Sequence, residues 1–434
     1  MITSGKLSSI APKWFKGWVL AVIMAFGCAR GPVTLPEHAF RETTPPTLSD
    51  DLALSELTEA ITADIEALRA SPDKVMRFGP HSITRRAYAE ALIDLRQVLS
   101  STTHESDKLN YIRDNFLFME FYGGDRWGEV LLTSYFEPLL PGSKTRTKTL
   151  NYPLYGQPAD LVTIHLARFS ERFKDERALK ARVDGAQVVP YYSRQEIDAQ
   201  QKLANKGLEL AWVDPIDAFF LHIQGSGTVK FEHGEEAYMT YADKNGHKYE
   251  PVGKFLRNVI GSKKITMQRI EQALRSMSDD ERDSYLLKNP SYVFFNRSKK
   301  RAITSLGVPA TPGRTIAVDP RYAPKGALAV LTFQKPVFSP QHSPGDDPIS
   351  YDKVSRFVLD QDSGGAITGT NRVDLFWGRG DSAKQYAGVI QDTARLLYLL
   401  PKQGVVVKIS HQKDLHLHPA LPQLERLALP VESD

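Results

Sequence analysis

The stretch Asp362–Gly380, DSGGAITGTNRVDLFWGRG, decides how the rest of the chain is read. It opens on an acid and a glycine pair and closes on an apolar run, Val373-Asp374-Leu375-Phe376-Trp377, with a carboxylate inside it. Aspartate is disfavoured in strands. Ionised in apolar surroundings, it costs free energy unless it is paired, protonated or exposed. Read as a strand, the run alternates. Val373, Leu375 and Trp377 take the core face, and Arg372, Asp374 and Phe376 take the other, which points the carboxylate towards a cleft. A partly desolvated aspartate beside aromatic surface favours its neutral form, as a general acid at neutral pH requires. An ion pair with Arg372 or Arg379 is the competing reading.

The chain has 434 residues, enough for two or three domains. Its 41% hydrophobic and 24% charged residues describe a globular protein with a sizeable core. A net charge of +4 directs it neither to nucleic acid nor to a membrane surface. Lys6, Lys13 and Lys16 precede the apolar stretch Trp18–Phe26, which Gly27-Cys28 follow. That is the pattern of a secretory signal, too short to span a bilayer. Cys28 is the single cysteine of the chain, so no internal disulfide can form. At that place it resembles a lipobox cysteine that is cut and lipidated, and Ala29 in place of aspartate resembles outer-membrane sorting. Residues 1–28 therefore read as a signal peptide, and the proline-rich residues 29–47 as a tether.

Leu52, Leu54, Leu57, Ile61, Ile65 and Leu68 form a helical stripe behind Ser49-Asp50 as caps. Ala87, Ala91, Leu92, Leu95 and Leu99 form a second, and Leu109, Ile112 and Phe116 a third. From Glu129 the pattern turns to β. Residues 211–235, AWVDPIDAFFLHIQGSGTVKFEHGE, read as two strands around Gly225-Ser226-Gly227. Residues 267–290 read as a helical pair, and 291–298, 327–333 and 356–362 as strands. Residues 383–402, AKQYAGVIQDTARLLYLLPK, read as a helix capped by Asp381-Ser382 and stopped by Pro401. With one cysteine and no phosphate-cradling glycine motif, neither a metal nor a cofactor is expected. Ser226 lacks the sequence order of a nucleophile elbow. Carboxylate chemistry remains, and Glu137, Asp214, Asp217, Asp319, Asp362 and Asp374 are its candidates. Asp214-Pro215 and Asp319-Pro320 read first as turn starts.

Six blocks carry a resemblance: TSYFEPLLPGSKTRTKTLNYPLY (133–155), FFLHIQGSG (219–227), YADKNGHKYEPVGKFL (241–256), NPSYVFF (289–295), GVPATPGRTIAVDPRYAPKGA (307–327) and DSGGAITGTNRVDLFWGRG (362–380). In this order, over roughly residues 125–402, the chain resembles the membrane-bound lytic murein transglycosylase A family. The resemblance implies a mainly β protein with helices. A double-psi β-barrel-like domain would form from both chain ends, residues 48–137 and 300–434, with a second β-barrel domain, 138–299, inserted. It places the family's three aspartates on Asp319, Asp362 and Asp374, the last as acid and base. Thr133, Tyr135, Gln224, Ser226, Gly365 and Ala366 become candidate glycan contacts, the glycine because it lets a sugar approach the backbone.

The implied activity is that of a peptidoglycan exotransglycosylase. It would break the bond between N-acetylmuramic acid and N-acetylglucosamine and leave 1,6-anhydro ends. The implied partner is the glycan strand, with no nucleic acid, and the membrane is reached only through a lipid anchor on Cys28. That describes an outer-membrane lipoprotein facing the periplasm, and the resemblance names no partner among the cell-wall-synthesis proteins. A non-catalytic peptidoglycan-binding lipoprotein and a hydrolytic glycosidase on the same barrel are the rival readings. Ser134, Phe136 and His222 depart from the usual pattern, and Asp360 puts a second acid beside Asp362.

Overall fold

The computed structural model describes residues 35–407 apart from 103, 125, 175, 177, 262–264, 302, 343–345, 366 and 405. The signal sequence, Cys28, Ala366 and the tail beyond 407 lie outside the described residues.

Eight strands make the main sheet: β1 (Phe40–Thr43), β2 (Phe116–Phe121), β3 (Glu129–Glu137), β4 (Thr315–Ala317), β5 (Ala327–Val337), β6 (Ser350–Asp362), β7 (Arg372–Arg379) and β8 (Gln391–Pro401). Six of them close into a barrel in the order β3-β7-β4-β6-β5-β8, because β8 pairs antiparallel with β3 as well as with β5. The pairs β4–β6 and β7–β3 are parallel. Strands β1 and β2 extend the sheet beyond β8. The core is filled by the apolar runs Leu328–Leu331, Phe357–Leu359 and Leu396–Leu400, all at or near zero exposure. Each such side chain contributes roughly 1.5–3 kcal/mol by leaving water.

Strand β8 was expected as the second half of a long helix. The helix is only Gly380–Ala387, and Gly388 separates it from the strand. A strand buried on both faces shows an unbroken apolar run, which periodicity cannot tell from a buried helix.

Three helices cover the barrel: α1 (Leu54–Arg69), α2 (Arg85–Ser101) and α3 (Glu105–Asn115). The expected stripes are the buried faces of α1 (Leu57, Ile61, Ile65 and Leu68) and α2 (Leu92, Leu95 and Leu99), but of the third only Ile112 is buried on α3, and Phe116 opens strand β2. Tyr88 of α2 pins the layer, its hydroxyl donating to the Leu399 carbonyl at 2.7 Å and accepting from the Leu328 amide at 2.9 Å. The stretch before α1 departs from expectation twice. Part of the expected tether is strand β1, whose Phe40 is 3% exposed and packs on Phe78, Phe121 and Tyr398. Asp50, expected to cap α1, instead pairs with Arg314 at 2.5 Å with both side chains fully buried, while Asp51 pairs with Arg356. Ala53 holds the cap position.

None of the described strands in residues 138–299 belongs to the barrel. Their strands Leu139–Gly142, Gly227–Phe231, Glu236–Lys244 and Val293–Ser298 form one sheet, and Tyr152–Tyr155 pairs with Glu209–Val213. Bridges Ser143–Trp212 and Gly156–Phe295 join the two sheets into a second closed ring. The segment expected to hold two strands holds a helix between them, α4 (Pro215–Gln224). Asp214 accepts from the Ile216 and Asp217 amides, Pro215 occupies the first turn, and Gly225 ends the helix in the left-handed region at φ 80°. Those are helix start and stop signals, so Asp214-Pro215 is a helix cap rather than a strand turn. The expected helical pair is present as Met267–Arg275 and Asp279–Leu286.

Candidate active site

Strand register assembles the acids. Asp362 on β6 pairs with Ala317 on β4, Ala317 with Asp374 on β7, and Asp374 with Thr133 on β3. One row therefore crosses four strands and carries two carboxylates and a hydroxyl. The alternation expected for β7 holds: Val373 and Leu375 are fully buried in the barrel core, and Asp374 is on the opposite face with Arg372 and Phe376. An irregularity in the β4–β6 pairing, with Ile316 opposite Asp360 and Ala317 opposite Asp362, leaves Gln361 as an extra residue. Such a bulge re-aims the side chain that follows it, here Asp362.

The surroundings of Asp374 are less apolar than its neighbours in sequence suggest. Arg372 Nε donates to Oδ1 at 2.8 Å and its terminal nitrogen to Oδ2 at 2.9 Å, and the Thr133 hydroxyl donates to Oδ1 as well. The ion pair named as the competing reading is therefore present, and among the described residues every partner of this carboxylate is a side chain. Asp362 is held differently. The Ser305 and Ser363 amides donate to Oδ1 at 3.0 and 2.8 Å, and the Tyr135 hydroxyl donates to Oδ2 at 2.9 Å. Burial, reinforced by the charge of Asp362, raises the Tyr135 phenol well above its ordinary value, so it stays a donor.

Asp319, 3% exposed, closes the loop before β7 by accepting from the Gly369 amide at 2.8 Å and from Arg321. Burial opposes its charge, but the Arg321 guanidinium and the Gly369 and Arg321 amides outweigh it and hold the carboxyl below its usual value. Asp360, the second acid, is fully buried between Lys325 at 2.5 Å and the Tyr398 hydroxyl at 2.7 Å, and burial raises its pKa.

The candidate glycan contacts divide. Thr133 lies in the row and holds Asp374, and Tyr135, two residues along β3 and opposite Phe376, holds Asp362. Gln224 ties the second ring to the barrel, accepting from the Phe136 amide at 3.2 Å. Ser226 lies half-buried in the turn after α4. Gly365 is exposed, and a Cβ there would stand 3.4 Å from the Lys244 ammonium. Lys244, Lys325 and Tyr249 were not singled out in the sequence. Each reaches the site through tertiary structure, and no local pattern marks it.

Two family models match the chain: the MltA specific insert domain over residues 131–296 and the 3D domain over residues 314–400. The membrane-bound lytic murein transglycosylase A of Vibrio cholerae is 28% identical over 271 residues, 61% of this chain and 64% of the relative, so the match spans just under two thirds of that protein. A solved membrane-bound lytic murein transglycosylase from Agrobacterium tumefaciens is similar at a TM-score of 0.65 and 28% identity, covering 84% of this chain and 98% of its own. E. coli MltA, solved with bound chitohexaose, shares the fold at a TM-score of 0.62 and 23% identity, with 86% of this chain and 96% of that one covered.

Proposed function

We propose that this chain, which belongs to the membrane-bound lytic murein transglycosylase A family, cleaves the bond between N-acetylmuramic acid and N-acetylglucosamine in peptidoglycan with Asp374 as the single acid and base. Protonated Asp374 gives its proton to the glycosidic oxygen while the sugar passes through an oxocarbenium-like transition state. The carboxylate then takes the proton of the C6 hydroxyl on the same sugar, and that oxygen closes on the anomeric carbon to give the 1,6-anhydro end. One carboxylate suffices because the nucleophile is intramolecular and its effective concentration is high.

The observation that carries this reading is the kind of partner each acid has. Asp319 and Asp362 are fixed by backbone amides that cannot rotate away. Among the described residues Asp374 is held only by side chains. A hydrolase needs a second carboxylate free to activate water or to attack, and the two neighbouring acids are already engaged. Asp319 and Asp362 serve as supports: the first sets the loop before β7, the second anchors Tyr135. Lipidation at Cys28 would hold the enzyme on the periplasmic face of the outer membrane.

The test is digestion of purified murein followed by mass spectrometry of the fragments. Anhydro ends are expected. Reducing ends would identify a hydrolase, and intact strands a binding protein. Asp374→Asn keeps the size of the side chain but cannot cycle a proton, and it should lose roughly 10²–10⁴-fold in rate. Product formed at the wild-type rate would place the acid elsewhere.

A further inference from the structure

Three strands of the inserted segment, Val162–Ile164, Leu179–Asp184 and Gln187–Pro190, form a small antiparallel sheet apart from the second ring. Its faces are reversed for a surface sheet. The polar face turns inward. Lys180 donates to the Thr163 hydroxyl at 2.7 Å and to Asp243 of the ring at 2.6 Å, and the Arg182 guanidinium lies 4.5 Å from the Tyr192 ring. The opposite face is apolar by register, with Val183 across from Val188, Leu179 across from Ile164, and Val162 and Pro190 on either side of Ala181. Leu179, Val183 and Val188 on it are 51%, 64% and 58% exposed, and Phe169, in the connection leading to Leu179, is 75% exposed. A continuous apolar face left in water marks a contact surface.

Size, tether and charge decide what covers it. The three strands hold thirteen residues, and at roughly 16 Å² each, from strand spacing and rise, the face measures about 200 Å². A stable dimer needs about 800 Å² from each partner, so this face does not by itself seat a second copy. Partition into a lipid interface has no such threshold, because it grows with the apolar area buried. Only residues 29–34 separate Cys28 from Leu35, where the described structure begins. Fully extended they reach about 25 Å, less than the diameter of a small domain. A chain lipidated at Cys28 therefore cannot hold its folded body clear of the bilayer. Arg168 and Arg172, exposed in the connection beside Phe169, form no ion pair among the described residues and suit anionic headgroups. We propose that the apolar face of this sheet rests in the lipid headgroup region as a second membrane contact. The proposal rests on the reading of Cys28 as the anchor, which the sequence made the sole contact. The face is too small to hold the protein alone and acts once the anchor has raised its local concentration at the surface.

The test uses the mature lipidated protein in vesicles of phosphatidylethanolamine and phosphatidylglycerol. Lipidation consumes the thiol of Cys28, the single cysteine, so Val188→Cys offers an environment-sensitive dye one site. Wild type that takes up dye has a free Cys28, and the anchor reading falls, taking this proposal with it. With Cys28 blocked, dye at position 188 should shift to the blue in vesicles and be quenched by nitroxide lipids labelled at the interface. Val183→Asp, across from position 188, should cut that quenching roughly tenfold, since a carboxylate replaces an apolar side chain in the interface. The protein should still float with the vesicles. Arg168→Gln with Arg172→Gln should weaken quenching in these vesicles and not in phosphatidylcholine. Absent quenching, or quenching that Val183→Asp leaves unchanged, overturns the proposal and leaves the anchor standing. A blue shift without vesicles would mean that a protein surface covers the face, and one that requires added murein would mean that a glycan does; either overturns it. Matching melting curves and an unchanged rate on soluble glycan strands exclude misfolding of Val183→Asp.

Discussion

Asp64 offers a test of the packing behind the site. It lies on the buried stripe of α1 among Ile61, Ile65 and Leu68, with no exposure. Oδ1 accepts from Gln361 Nε2 at 2.6 Å, and Oδ2 has no hydrogen-bond partner among the described residues. Burial pushes the carboxyl up to about 8; the Gln361 hydrogen bond opposes this and the charge of Asp360 adds to it. At neutral pH the folded protein thus holds a proton that the unfolded chain, with an ordinary aspartate near 3.8, has released. An acid raised in this way favours the fold most below the unfolded value. Its contribution falls as pH climbs from about 4 to about 8 and levels off above. At about 1.4 kcal/mol per unit, a rise from about pH 5 to about pH 7 removes roughly 3 kcal/mol.

Asparagine has the shape of the protonated acid, with an oxygen for Gln361 and an amide NH2 where the acid carries its O–H. Asp64→Asn should therefore remove the linkage. In denaturant melts, its stability relative to wild type should grow by roughly 3 kcal/mol between about pH 5 and about pH 7 and stop growing above about pH 8. Other titrating groups, such as Asp198, which burial raises to about 6, are common to both proteins and cancel. A difference that stays constant with pH would mean that Asp64 is ionised in the fold, and the reasoning fails.

Asp50→Ala strands the fully buried Arg314 and should cost about 3–5 kcal/mol, seen in a thermal melt, because an unpaired buried charge is left behind. A loss under about 1 kcal/mol would mean that the pair is not formed. Asp319→Asn and Asp362→Asn weaken loop anchoring rather than proton transfer, so anhydromuropeptide release should fall less than in Asp374→Asn while the melting temperature drops in each. Equal or greater losses of activity at unchanged stability would move the acid to one of these positions. Cys28→Ala should shift the protein from the membrane fraction to the soluble periplasm or leave it unprocessed, and unchanged membrane association on fractionation would remove the lipid anchor.

Much of this architecture was legible where burial is one-sided. The stripes of α1 and α2 follow from period alone, since one face of each meets the core and the other does not; the alternation of β7 holds although Asp374 and Phe376 on its other face are buried too. Legibility failed where burial is complete or where a tertiary partner decides. Strand β8 shows an unbroken apolar run, so helix and strand could not be separated. Helix α4 carried its own cap, proline and terminal glycine, but its apolar composition and flanking glycines favoured strands. Asp50 had the form of a helix cap and became an ion-pair partner because Arg314, distant in sequence, needed a buried counter-charge. Asp64 sat in a stripe read as packing surface, and nothing local announces that Gln361 meets it.

The site shows the same division. The positions of Asp362 and Asp374 could be reached from sequence, but their roles depend on partners that register alone supplies. Asp360 and Asp362 are two residues apart and similar on paper. The extra residue at Gln361 separates their fates. Asp360 meets Lys325 and Tyr398 with no access to water, which makes it a poor proton carrier for a sugar. Asp362 is turned to the row but gripped by two amides and a phenol. Asp374, itself 8% exposed, has only side chains among its described partners, and the proposed proton transfer to a leaving group requires that those partners swing aside.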